Sequence, residues 1–108
     1  MEVYSLIKMS MDATNLRSQT IANNIANANT PNYKAKYVSF EETLKDMSTS
    51  TPKIEVKENT TTRVRYDGNN VDLESEKIKQ ASTTLQYNAL VSIMNTRLAM
   101  AQSVITGR

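Results

Sequence analysis

From Leu85 to Ile105, thirteen of twenty-one residues are apolar, and Arg97 is the only charge. Neither glycine nor proline interrupts the chain between Asp72 and Gly107, so one long helix is predicted there. It starts at Asp72, a good N-cap, with Glu74 and Glu76 in the first turn, where the helix dipole favours negative charge. Plotted at 100° per residue, Leu85, Tyr87, Leu90, Ile93, Met94, Leu98 and Val104 surround the axis instead of lining one face. A helix that is apolar all round has to be covered on several sides. Lipid is not the cover, because Asn88, Asn95, Arg97 and Gln102 interrupt the run, and no stretch reaches the ~18 apolar residues of a membrane span. The cover has to be protein.

The chain offers little of it. From Val3 to about Ala28 there is again no glycine or proline; Leu6, Met9, Ala13 and Leu16 recur on one helical line, and Ile7, Met11, Ile21, Ile25 and Ala28 on the next. Such a helix is a rod of about 39 Å that can cover one side of its partner only. A third helix from Phe40 to Met47 would add about two turns. The expected fold is therefore mainly α: long N- and C-terminal helices paired as an antiparallel hairpin, with a large apolar patch left open. Patches of that kind mark assembly surfaces, and a polymer or a multi-chain bundle is the expected native state. The chain divides into a first helix over 1–29, an extended connector over 30–71 and a second helix over 72–108. In the polar connector two brief alternations, Lys53 to Lys57 and Arg63 to Tyr66, suit a weak hairpin with Ile54, Val56, Val64 and Tyr66 on one face; an irregular loop that orders only against neighbours, or disorder, is the alternative.

Composition excludes most chemistry. Cysteine and histidine are absent, which removes disulfides, thiolate nucleophiles, the usual zinc sites and a histidine base. The net charge of +2 is spread evenly and points to neither nucleic acid nor membrane. The N-terminus has no uninterrupted apolar segment followed by a small-residue cleavage site, so a soluble chain without Sec processing is expected. Glu41 and Glu42 are adjacent and diverge on a helix or strand, a poor acid–base pair. Asp67-Gly68-Asn69-Asn70-Val71-Asp72 gathers oxygen ligands, but its glycine is second instead of sixth, and position twelve of such a calcium loop is Ile78. A tight turn delivering the chain to the Asp72 cap explains these residues better. Lys34-Ala35-Lys36-Tyr37 interleaves base and aromatic too briefly to define a nucleic-acid surface. No catalytic constellation, cofactor site or metal site is expected.

The stretch NNIANANTPNYKA, Asn23 to Ala35, holds five asparagines in thirteen residues. Each costs a helix interior roughly 0.5 kcal/mol against alanine, so Asn23, Asn24 and Asn27, beside Ile25, call for a purpose other than helix formation. Buried side-chain amides that fix register supply one. Asn29 is expected to take the left-handed conformation at the helix end, and Pro31 forces Thr30 extended before the chain leaves through Asn32 and Tyr33.

These residues carry a resemblance. SQTIANNIANANTPNYKAKYVSFEETL, Ser18 to Leu44, resembles the N-terminal signature of the bacterial flagellar rod and hook proteins. YDGNNVDLESE, Tyr66 to Glu76, with LQYNALVSIMNTRLAMAQSVITG resembles the C-terminal half of their proximal-rod branch, the FlgB family. The resemblance covers roughly two thirds of the chain, and uninterrupted TPNYKA and DGNNVDLE favour this branch over the second proximal-rod protein. It implies a structural subunit without catalysis, whose terminal helices pair as an antiparallel coiled coil and which polymerises into a helical tube. It also implies export through the flagellar type III channel and assembly with itself and other rod proteins, on the membrane (MS) ring and the export-gate or adaptor proteins at the rod base. The rod stands in the periplasmic space at the inner membrane, with no nucleic acid bound and no direct membrane insertion. Asn32 stands where glycine is common, and both residues accept left-handed turns. The middle segment is shorter than usual, which implies a reduced outer domain. From a different class, a free-standing helical-hairpin adaptor would share the helices but not the assembly.

Overall fold

A computed structural model describes residues 2–45, 51–61 and 64–107. Along the chain run α1 (Val3–Ala26), β1 (Lys36–Ser39), α2 (Glu41–Lys45), β2 (Glu55–Glu58) and α3 (Leu73–Thr106). The two long helices are antiparallel. The Tyr4 hydroxyl donates to the Arg97 carbonyl at 3.1 Å, Arg17 to Gln86 Oε1 at 3.4 Å, and Asn24 Nδ2 to Glu76 Oε2 at 3.1 Å, three rungs along the pair. Beyond Arg97, α3 runs on past the start of α1, an overhang of about 14 Å. The molecule is accordingly long, 64 × 31 × 14 Å, with a radius of gyration of 17.5 Å, against about 13 Å for a compact domain of this length.

The seam between the helices is made of small and polar residues. On α1 it buries Ile7, Ala13, Thr14, Thr20, Ile21 and Asn24; on α3, only Glu76 and Thr83. Ile7, Thr14 and Ile21 are seven apart, the spacing of a helix that keeps one edge on a partner. The Thr14 and Thr20 hydroxyls turn back to the carbonyls of Ser10 (2.7 Å) and Leu16 (2.8 Å), so neither is an unpaired polar group in the seam. The apolar lines expected from the sequence sit at its margins: Leu6, Met9, Met11, Leu16 and Ile25 are half-buried. The stripe is displaced because a second body packs on α1, the extended segment that ends in β1.

That segment also corrects the expected hairpin. The strand at 55–58 forms, but it pairs antiparallel with β1, in the register Lys36↔Glu58, Tyr37↔Lys57, Val38↔Val56, Ser39↔Glu55. Val64 and Tyr66 lie outside the sheet and are exposed, and Arg63 lies outside the described residues. The reason is that β1 is already held extended against α1, and a strand gains more from a fixed edge than from a free neighbour. The helix at Phe40 to Met47 shrinks to α2, with Met47 outside the described residues; Phe40, just before it, is buried.

The helix ends are set locally. Asp72 Oδ1 accepts from the Ser75 N–H at 3.2 Å, and Gly107 closes α3 at φ 71° with its N–H on the Ser103 carbonyl. α1 stops at Ala26 with Asn27 as its C-cap. The left-handed residue after it is Asn32, at φ 63°, not Asn29. Pro31 fixes its own φ and leaves the reversal to the next residue, and asparagine tolerates it.

Candidate assembly site

The two stretches that bracket the connector meet at the bend of the hairpin. The Asn32 N–H donates to the Asp67 carbonyl at 2.9 Å and the Asn70 N–H to the Tyr33 carbonyl at 3.3 Å. The Ala35 N–H donates to Asn70 Oδ1 at 2.6 Å. Lys34 reaches the Gly68 carbonyl, and Arg65 reaches the Ala28 carbonyl at the end of α1. Gly68 has φ 85°, and a Cβ there would press into the Asn32 side chain and lie 3.3 Å from its Cα. Two left-handed turns therefore close on each other, with Ala28, Ala35, Val71 and Tyr33 as a small apolar core beneath them. We call this arrangement the clasp.

Asn69 is its centre, with 0% of its surface exposed. Its Nδ2 donates to the carbonyls of Asn27 and Thr30, both at 2.8 Å, and its Oδ1 accepts from the Val71 N–H at 2.7 Å. Both carbonyls also accept within the turn that follows α1, Asn27 from the Thr30 N–H and Thr30 from the Tyr33 N–H, so Asn69 fastens the second turn to the first. Sequence reasoning placed Asn69 in a turn and missed this. The signal was DGNN itself, in which one asparagine more than the turn needs follows the glycine.

Asn23, Asn24 and Asn27 do not share one environment. Asn24 is 1% exposed and fully used: Nδ2 donates to the Lys36 carbonyl (2.7 Å) and to Glu76 (3.1 Å), while Oδ1 accepts from the Lys36 N–H and the Tyr33 hydroxyl, both 3.0 Å. Its amide bonds Lys36 as a neighbouring strand would, sealing the inner edge of β1 with a helix side chain. Asn27 is half-buried; its Oδ1 accepts from the Thr30 hydroxyl and its Nδ2 donates to the Asn23 carbonyl. The Asn23 side chain is exposed, as are Thr30 and Pro31, and Ile25 is half-buried. Tyr33, behind Asn24, has its pKa raised by burial and by the nearby charges of Glu76 and Glu58. Arg17, not singled out by the sequence, ties four elements together: it pairs with Glu41 of α2 at 2.7 Å and also donates to the Val38 carbonyl of β1 and to Gln86 of α3.

The second feature is the outer face of α3. Leu85, Tyr87, Ile93, Leu98 and Val104 are exposed, and Leu90 and Met94 are half-buried. On the overhang, Val104 and Ile105 keep 83% and 84% of their surface in water. The seam takes Thr83 and Glu76 and leaves the large apolar residues outside. Arranged this way, α3 offers an apolar contact surface.

Comparison with known proteins agrees with that reading. The family described as "Flagella basal body rod protein" matches residues 11–34, from the middle of α1 to the first turn of the clasp. The chain is 31% identical over 117 residues to "Flagellar basal body rod protein FlgB" of Bacillus subtilis, covering 94% of this chain and 91% of that protein. It is 25% identical over 128 residues to FlgB of Salmonella typhimurium, with 94% and 93% covered, and 29% identical over 126 residues to FlgB of Escherichia coli, with 92% and 91% covered. The aligned spans exceed this chain's 108 residues, so some positions of the relatives have no counterpart here. Among the described residues no helix is long and apolar enough to cross a membrane. With an antiparallel helical pair, a two-stranded sheet between its halves and relatives matched along nearly their whole length, the chain belongs to the FlgB family of flagellar basal-body rod proteins.

Proposed function

We propose that the chain is a structural subunit of the proximal rod, exported through the flagellar type III channel and assembled with copies of itself and other rod proteins above the membrane ring, in the periplasmic space. The observation that carries this is the exposed apolar face of α3, in a chain whose internal seam is too small and polar to use it. Leu85, Tyr87, Leu90, Ile93, Met94, Leu98 and Val104 pack against neighbouring subunits in this reading. Asn23 and Asn27, with Thr30 and Pro31, face them at the clasp end, while Asn24 sets the register of β1 within the subunit. The MS ring and the export-gate or adaptor proteins meet the lowest subunits.

The test is a strain whose only copy carries Leu90→Asp, which would bury an unpaired charge at a subunit contact. The expected result is secreted chain, basal bodies without it and no motility. Normal motility, with the variant present in isolated basal bodies, refutes the reading.

A further inference from the structure

We infer that the outer edge of β2 pairs with the same edge of a second copy of this chain, antiparallel and centred on Val56, to make one four-stranded sheet across two molecules. The sheet is closed on one side and open on the other. In an antiparallel ladder alternate residues turn their backbone groups toward the partner strand. The Asn59 N–H donates to the Ala35 carbonyl at 2.7 Å, so Lys57 and Glu55 turn inward to Tyr37 and Ser39, and Val56 and Glu58 turn outward. On β1 the residues that turn away from β2 are Lys36 and Val38, and α1 meets them: Asn24 bonds both backbone groups of Lys36, and Arg17 bonds the Val38 carbonyl. Nothing among the described residues does the same for Val56 and Glu58, and all four residues of β2 are exposed. Two strands alone are marginal, and an open edge is a template for a third.

The charges select the strand that fits. With Val56 opposite Val56, Glu55 of each copy faces Lys57 of the other, so the same opposite-charge pair forms twice, and Glu58 faces Ile54. Sliding the strands to the next register in either direction that still bonds the outward groups sets Lys57 against Lys57 or Glu55 against Glu55, and like charges directly opposite are destabilising. Edge strands commonly carry charge that repels a second strand; the order Glu-Val-Lys complements itself instead. A patch that meets its own copy closes at two molecules and does not propagate. The pair therefore stands apart from the rod-subunit reading: it is a state of the unassembled chain, in which the open edge is covered.

Sedimentation velocity on the purified full chain, at concentrations reaching the millimolar, is the test, and a monomer–dimer equilibrium is the expected result. Glu55→Lys and Lys57→Glu should each weaken it about tenfold, because each turns two attractive cross-strand pairs into two repulsive ones. The Glu55→Lys/Lys57→Glu double variant, and an equimolar mixture of the two single variants, should recover the association of the parent. The chain contains no cysteine, so a second measurement is independent of charge. Differently tagged Glu55→Cys and Lys57→Cys chains are mixed and oxidised, and a disulfide dimer carrying both tags is expected, since directly opposite residues of this kind stand about 4.5 Å apart at Cα. Neither variant alone should link to itself, because its two copies lie on a diagonal beyond the ~7 Å that a disulfide spans. A chain that stays monomeric throughout, association that the charge variants leave unchanged or that the double variant fails to recover, or disulfide dimers from either cysteine variant alone overturns the β2 contact. None of these outcomes touches the rod reading, which the Leu90→Asp strain tests.

Discussion

Asn24→Asp separates the two halves of a side chain that makes four hydrogen bonds. The substitution keeps shape and the accepting Oδ1, so the Tyr33 hydroxyl and the Lys36 N–H retain their partner. It removes both donors, to the Lys36 carbonyl at 2.7 Å and to Glu76 at 3.1 Å, and sets a second carboxylate against Glu76. Two unit charges at that separation repel by about 5 kcal/mol at an effective dielectric of 20. Losing the donors adds about 1–3 kcal/mol for each acceptor left unsatisfied. Relaxation and stronger bonds from Tyr33 and Lys36 return part of this, so we expect a net loss of about 3 kcal/mol at pH 7, a large share of the ~5–15 kcal/mol that stabilises an ordinary domain. The sign with pH is fixed. Two facing carboxyls hold one proton more tightly when folded than when unfolded, so stability is recovered on acidification and lost as pH rises through the raised folded pKa. Urea unfolding followed by far-UV circular dichroism at pH 7 and pH 5 measures both effects, with the exposed Asn23→Asp as control, expected within about 0.5 kcal/mol of the parent. If Asn24→Asp at pH 7 also falls within that margin, Asn24 is not the register-setting bond of β1.

Gly68→Ala should lower stability by about 2–3 kcal/mol, since it combines a left-handed backbone with a Cβ pressed into Asn32, whereas Gly107→Ala, at a similar φ with open space around it, should lose about 1 kcal/mol; equal thermal shifts would argue against the clasp. Tyr33 should ionise above the ordinary tyrosine range in a 295 nm titration of the folded chain. Because its folded pKa is raised, the stability it contributes is present below the ordinary tyrosine pKa and lost as pH climbs through the folded value, and Tyr33→Phe should flatten that alkaline loss. Leu98→Asp, on the exposed overhang, should leave the unfolding midpoint of the isolated chain within about 0.5 kcal/mol of the parent and yet abolish motility; unchanged motility would mean that the overhang makes no contact.

What the sequence reveals here depends on how local each cause is. Asp72 and Gly107 act within one helical turn, and both ends of α3 were readable from them. The absence of a stripe on α3 was readable too, because encirclement is a property of one helix. The partner of β2 was not, because what holds β1 in place is a side chain twelve residues upstream, and nothing in the Lys36 to Ser39 pattern announces that its edge is sealed by Asn24. The seam was half legible: the period of α1 is plain, but Ala13, Thr14 and Thr20 were chosen for it by the body packed beside them, not by hydrophobicity. Arg17 and Asn69 escaped notice for a shared reason. Each works by reaching carbonyls that only the folded chain brings within range, Val38 for one and Asn27 and Thr30 for the other.

The clasp has an architectural consequence. Because the turn at Thr30 to Ala35 and the turn at Arg65 to Asp72 fasten to each other, the chain between them leaves and re-enters the helical pair at one closed base. Lengthening a loop whose ends are already pinned together demands little: doubling it adds only about 0.6 kcal/mol of closure entropy. Outside β1 and α2, which Asn24 and Arg17 tie to α1, the connector can thus grow or shrink from one relative to another without altering the spacing or register of the helices that carry it.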